Sequence, residues 1–171
     1  MPNSPQNPSR KALYTEEERA RRDATPWTLV QAILAPLQFL AFGVSLVLVV
    51  RFLFTGEGYE AATISILIKT LLLYTIMVTG AIWEKVVFGQ YLFAPAFFWE
   101  DVFSFGVIAL HTAYLWALFT GQPDNMQMFI ALAAYATYVI NAGQFLWKLR
   151  QARLQAASED AGTLVMERGT R

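Results

Sequence analysis

Three carboxylic acids stand out against an otherwise apolar sequence: Glu84 and the adjacent pair Glu100 and Asp101, each beside aromatic or aliphatic residues. A carboxyl among apolar walls and next to a second carboxyl can hold a proton near neutral pH and act as an acid. Gln31, Asn141 and Gln144 fall at the same depth and supply carboxamides to such a layer. The plainer reading makes Glu84, Lys85, Glu100 and Asp101 solvated charges at a membrane surface. A second polar layer holds Lys69 and His111, the latter the one histidine of the chain. An imidazole at that depth suits a proton carrier, an axial ligand for a tetrapyrrole metal, or a hydrogen-bonded core residue.

Spacing decides which of these residues share a face. Glu100, Ser104, Val107 and His111 advance by steps of four, three and four, which return to one side of a helix at about 100° per residue. Asp101 is turned about 100° away, towards a neighbouring helix or the segment before it. Thr137, Asn141, Gln144 and Lys148 repeat the stripe further on, as do Gln31, Gln38 and Ser45 earlier, and Ser65, Lys69, Thr79 and Trp83 between them. Polar groups in lipid-spanning helices face the bundle interior or a ligand, because lipid offers them no partner.

The elements that carry these stripes follow from composition. Of 171 residues, 56% are hydrophobic and 15% charged, against about 45–50% and about 25% in a soluble globular chain. Four apolar stretches, Thr28–Phe54, Ala61–Trp83, Trp99–Phe119 and Met126–Trp147, reach the roughly 20 residues that a helix needs to cross a bilayer core. None alternates apolar with polar as a membrane barrel strand does. The expected fold is therefore all-α, an integral membrane four-helix bundle, with Pro36 kinking or tilting the over-long first span. On this count Lys69 and His111 each lie about 12 Å below the same boundary and become neighbours.

The segment Glu84–Phe98 is too short and too broken by Gly89 and Pro95 to span, yet too aromatic to sit free in water. It reads as an interfacial or re-entrant loop between the second and third helices, either a surface anchor or a ligand-binding flap, with Phe88, Tyr91, Phe93, Phe97 and Phe98 offering ring faces. Residues 1–26 form a charged tail, partly disordered along the Pro2–Ser9 run, residues 27–149 the transmembrane domain, and residues 150–171 a second tail. Arg10, Lys11, Arg19, Arg21, Arg22, Lys85, Lys148, Arg150 and Arg153 gather at one side, which puts both termini and the aromatic loop in the cytoplasm. Trp27, Trp83, Trp99 and Trp147 fall at that side as an interfacial belt.

Composition also excludes. The 13 basic and 13 acidic residues balance, so the chain lacks the basic surplus of a nucleic-acid binder. With no cysteine and one histidine, it has no disulfide framework, no catalytic thiol, no iron–sulfur site and no zinc site of the usual kinds. No Gly-rich phosphate loop is present, and no cofactor is expected. A lone four-helix unit also lacks the paired repeats common in transporters. On the residues alone, the chain reads only as a four-helix integral membrane protein with an acidic, aromatic pocket on the cytoplasmic side.

The run Tyr14-Thr-Glu-Glu-Glu-Arg-Ala-Arg-Arg-Asp-Ala-Thr-Pro-Trp-Thr-Leu-Val-Gln31, with Leu34-Ala-Pro-Leu-Gln-Phe39, Trp83-Glu-Lys85, Tyr91-Leu-Phe-Ala-Pro-Ala-Phe-Phe-Trp-Glu-Asp101 and Leu110-His-Thr-Ala-Tyr114, resembles the 2-vinyl bacteriochlorophyllide hydratase family of anoxygenic phototrophs. The resemblance spans roughly Tyr14 to Arg153. It implies a hydro-lyase that adds water to the 3-vinyl group of chlorophyllide a or 3-vinyl bacteriochlorophyllide a, giving the 3-(1-hydroxyethyl) product, with no added cofactor or metal. The magnesium chlorin is then the expected partner, beside membrane lipid and, as open alternatives, other enzymes of the same route or a second copy of the chain; the alternative to the hydratase is a non-catalytic membrane factor that binds a tetrapyrrole or quinone during assembly. Protonation of the terminal vinyl carbon leaves a cation on the inner carbon, which water attacks. Under that implication Glu100 is the acid and Asp101 or Glu84 holds the water, with the reverse assignment left open. Tyr91 and Trp99 are aromatic walls, Asn141 and Gln144 polar contacts, His111 a ligand for the substrate's magnesium, and Lys85 or Lys69 a partner for its propionate.

Overall fold

The computed structural model describes residues 13–169, with side chains described for residues 13–154. Its described residues form five helices and no strand: α1 (Glu16–Ala24), α2 (Pro26–Thr55), α3 (Tyr59–Phe88), α4 (Phe98–Phe119) and α5 (Asp124–Gly169). The Pro2–Ser9 run expected to be disordered lies outside the described residues.

Helix α1 is written locally. Thr15 and Glu18 close a capping box, Thr15 N–H donating to Glu18 Oε2 at 2.8 Å and Glu18 N–H to Thr15 Oγ1 at 3.2 Å, which satisfies two of the free amides at its start. Glu16 to Glu18 occupy the first turn and Arg21 and Arg22 the last, complementing the helix dipole at both ends. Thr25 stops α1 in an extended conformation, as a residue before proline prefers, and caps α2, whose first position is Pro26. Hydrogen bonds then tie this entry to α3: Trp83 Nε1 donates to Thr28 Oγ1 at 2.9 Å and Thr28 Oγ1 to Arg22 O at 2.6 Å.

Helices α2, α3, α4 and the Asp124–Leu154 part of α5 are each long and apolar enough to cross a membrane, and the chain is an integral membrane protein. Pro36 sits inside an unbroken α2. Gly56 and Gly58 take positive φ and turn α2 into α3 in three residues. Two hairpins result, α2 along α3 and α4 along α5, joined mainly by α2 against α5, with a thinner α3–α4 seam and α1 lying on α3. Large side chains such as Leu29, Leu40, Val47, Leu71 and Phe129 face outward, whereas Gln38, Ser45, Lys69 and His111 are buried. This inverted arrangement suits lipid, which pushes polar groups inward and lets Ala62, Ala131 and Ala134 bring helices close.

Two helix ends depart from the sequence-based limits. Helix α3 continues to Phe88, so the second connection is residues 89–97 and Glu84 is helical. The added turn packs Val87 and Phe88 against Tyr14 and Phe97, with Tyr14 and Phe88 stacked at 5.7 Å, and burial pushes the Tyr14 phenol above its usual range. Helix α5 passes Trp147 and runs to Gly169, because no proline or glycine interrupts it between Gly143 and Gly162 and Ala, Leu, Gln and Arg favour helix there.

Candidate active site

Glu84 comes from the last turn of α3. Gly89, in the left-handed region at φ 85°, ends that helix, and its N–H closes on Lys85 O at 3.0 Å. Lys85 Nζ donates back to Gly89 O at 2.7 Å while lying 5.4 Å from the Tyr91 ring centre, so it serves the helix end. Glu100 and Asp101 come from the first turn of α4, where the helix dipole favours acidic groups. All three carboxylic side chains are buried, at 6%, 5% and 4% exposure.

The connecting loop closes over them. Phe93 adopts φ 59°, a conformation that costs a bulky residue about 1–3 kcal/mol. Its N–H donates to Asp101 Oδ2 at 2.6 Å, the next N–H, of Ala94, donates to Glu84 Oε2 at 3.3 Å, and its ring stacks on Phe105 at 5.5 Å. The Glu84 and Asp101 carboxyls are within hydrogen-bonding reach of each other. Carboxylates only accept, so such a bond needs one proton between the two. Glu100 is held differently, by Lys148 Nζ at 2.6 Å. Lys148 also donates to Ala96 O and lies 4.9 Å from the Phe97 ring centre. The cluster thus divides into a carboxyl pair and an ion pair. A cleft of about 390 Å³ between α4 and α5 has Glu100 and Lys148 in its wall.

The remaining sequence-predicted site residues scatter around it. Asn141 is buried and donates to Ser104 Oγ at 2.8 Å, one turn inward from Glu100. Gln144 lines the cleft, and its buried Oε1 has no hydrogen-bond partner. Tyr91 and Trp99 point outward, more than half exposed. Lys69 and His111 do meet, Nζ to Nε2 at 3.3 Å, with His111 Nδ1 at 2.8 Å from Val107 O and Lys69 4.0 Å from the Tyr138 ring centre. That pair is eleven helical residues from Glu100, about 16 Å along α4, and both imidazole nitrogens are engaged. Removing His111 alone leaves the Lys69 ammonium buried without its nitrogen partner, so His111→Ala should cost about 1–3 kcal/mol of stability. The paired variant Lys69→Met/His111→Leu should recover thermal stability and hydrate at the parental rate per folded molecule. A lost rate in a stable double variant would place the Lys69–His111 pair in the reaction.

Sequence reasoning placed Lys148 on the polar stripe and among the one-sided basic residues but missed its ion pair with Glu100. The signal was present, since Lys148 follows Asn141 and Gln144 on one stripe. The backbone amides of Phe93 and Ala94 had no such signal, because a positive φ at phenylalanine runs against residue preference. Among the described residues, no group of three His, Cys, Asp or Glu side chains is set to hold a metal ion.

Comparison with known proteins follows the same boundaries. A family model described as 2-vinyl bacteriochlorophyllide hydratase matches residues 14–151. A protein of Cereibacter sphaeroides named 2-vinyl bacteriochlorophyllide hydratase is 84% identical over 154 residues, which cover 90% of this chain and 96% of that protein. No solved structure matches the chain.

Proposed function

The chain belongs to the 2-vinyl bacteriochlorophyllide hydratase family, and from that premise we propose how its buried carboxyls add water to a vinyl chlorin. The enzyme is a carbon–oxygen hydro-lyase of bacteriochlorophyll biosynthesis acting on a tetrapyrrole. The substrate is the 3-vinyl group of chlorophyllide a or 3-vinyl bacteriochlorophyllide a, and the product its 3-(1-hydroxyethyl) derivative.

One observation carries the division of labour: Glu84 and Asp101 share hydrogen-bonding reach, whereas Glu100 has its own cation in Lys148. An ion-paired carboxylate is an acceptor, so Glu100, in the cleft wall, orients the attacking water and takes its proton. The proton for the terminal vinyl carbon comes from the Glu84–Asp101 pair. Asp101 has the shorter backbone bond, 2.6 Å against 3.3 Å, which favours charge on Asp101 and the proton on Glu84. Protonation makes the terminal carbon a methyl and leaves the cation on the inner carbon, spread into the macrocycle. Water bonds to that carbon and loses a proton to Glu100, which returns it to the pair. Atoms and charge balance with no further reactant. Pigments from cells expressing the chain and supplied with chlorophyllide a should show conversion of the vinyl to the hydroxyethyl compound by chromatography. Retained but unchanged pigment would favour an assembly factor.

The site stands at the cytoplasmic face in this reading. Arg19, Arg21, Arg22, Lys85, Lys148, Arg150 and Arg153 gather at the loop end of the bundle, while the 56–58 and 120–123 turns carry no Lys or Arg. Reporter fusions should give a cytoplasmic signal at Gly89 and at the C-terminus and an external one at Gly56 and Asp124. An external signal at Gly89 would invert the topology.

A further inference from the structure

We propose that the cleft beside Glu100 seats the flat macrocycle of the substrate, with Trp147 as its stacking surface and Gly143 as the position whose missing side chain leaves it room. This deepens the hydration reading and rests on it for the identity of the ligand.

The cleft is written on one face of α5. Ile140, Gly143, Gln144, Trp147 and Gln151 follow steps of three, one, three and four, so they line up along about 16 Å of helix. Ile140 and Trp147 are more than half exposed, offering an aliphatic and an indole surface to a planar aromatic ligand. The stripe passes from apolar at Ile140 to carboxamide at Gln151, matching a macrocycle with an apolar body and a polar edge. Beside Gln144 stands the Glu100 carboxylate, which brings the cleft to the reacting group.

Gly143 has no account within the fold. A Cβ built there meets nothing within 4 Å, so packing does not demand glycine, and a helix-interior glycine costs about 0.5–1 kcal/mol relative to alanine. Its effect is outside the protein, where it keeps the floor of the cleft flat.

The test compares one substitution in two grooves. Gly43 on α2 also has open space where a Cβ would stand, in a groove lined by Phe39, Leu40, Val44 and Val47. The full-length protein in detergent is titrated with chlorophyllide a by absorbance, and hydration is followed by chromatography. Gly143→Phe is expected to raise both the dissociation constant and KM about tenfold or more while kcat at saturation changes little, the pattern of lost ground-state binding. Gly43→Phe should bind and hydrate as the parent. Where Gly143→Phe lowers the folded yield, Trp147→Leu at an exposed position provides the same readout. Parental binding by folded Gly143→Phe or Trp147→Leu overturns the proposal. If the parent binds chlorophyllide a without hydrating it and Gly143→Phe still loses binding, the cleft stands and the hydration reading falls.

Discussion

Glu84→Gln should lower hydration by about 10²–10⁴, the usual effect of removing a general acid, and leave the fold and pigment binding in place. Glutamine has the shape of glutamate and keeps an oxygen for the Ala94 N–H, now 3.3 Å from Glu84 Oε2. Its amide can donate to Asp101, as the protonated carboxyl does, but has no proton acidic enough for a vinyl carbon. The loss should appear in kcat with KM nearly unchanged, since the missing interaction belongs to the transition state. Asp101→Asn should fall less far, because Glu84 keeps its proton, although the Phe93 N–H at 2.6 Å then meets a neutral acceptor. Equal retention of more than about a tenth of parental activity in both variants would remove the carboxyl pair from the proton step.

Lys148→Met should destabilise the site as well as slow it. Glu100 is 5% exposed and takes its counter-charge from Lys148 at 2.6 Å. Lys148 itself is 24% exposed, so stranding the Glu100 carboxylate costs less than breaking a fully buried pair, about 1–3 kcal/mol. Lys148 also holds the Ala96 carbonyl, so the aromatic loop loosens with it. The double variant Glu100→Gln/Lys148→Met removes both charges and should regain most of the thermal stability, yet remain inactive, because the base is gone. Thermal scans in detergent beside hydration rates separate the two effects. A stable and active Lys148→Met would mean that Glu100 needs no partner and that its role as base is misassigned.

The spans were legible because lipid imposes a coarse demand, about 20 apolar residues, and their polar stripes were legible because helical spacing is regular. Lys69 and His111 meet as their depths suggested. Glu84 entered the sequence as the first residue of a loop and is instead helical, since a terminating glycine five residues on decides the helix end more than the local charge does. The grouping of the acids was also beyond sequence. Which carboxyl pairs with which depends on Lys148, 48 residues from Glu100, and on a strained backbone at Phe93, neither of which has a local pattern. Helix α1 could have been read from Thr15 and Glu18, whose spacing is that of a capping box, but its charge made it look like part of a tail.

The most direct test of the account is hydration in doubly labelled water. The full-length protein in detergent is given chlorophyllide a in deuterium oxide carrying heavy oxygen, and the product is read by mass spectrometry and magnetic resonance. Addition of water through the carboxyl cluster is expected to place one deuterium on the new methyl carbon and the heavy oxygen on the carbon next to the ring, with Glu84→Gln forming almost no labelled product. Hydroxyethyl product from the parental protein that lacks either label, no product at all, or a Glu84→Gln variant that forms labelled product as fast as the parent, would contradict the account.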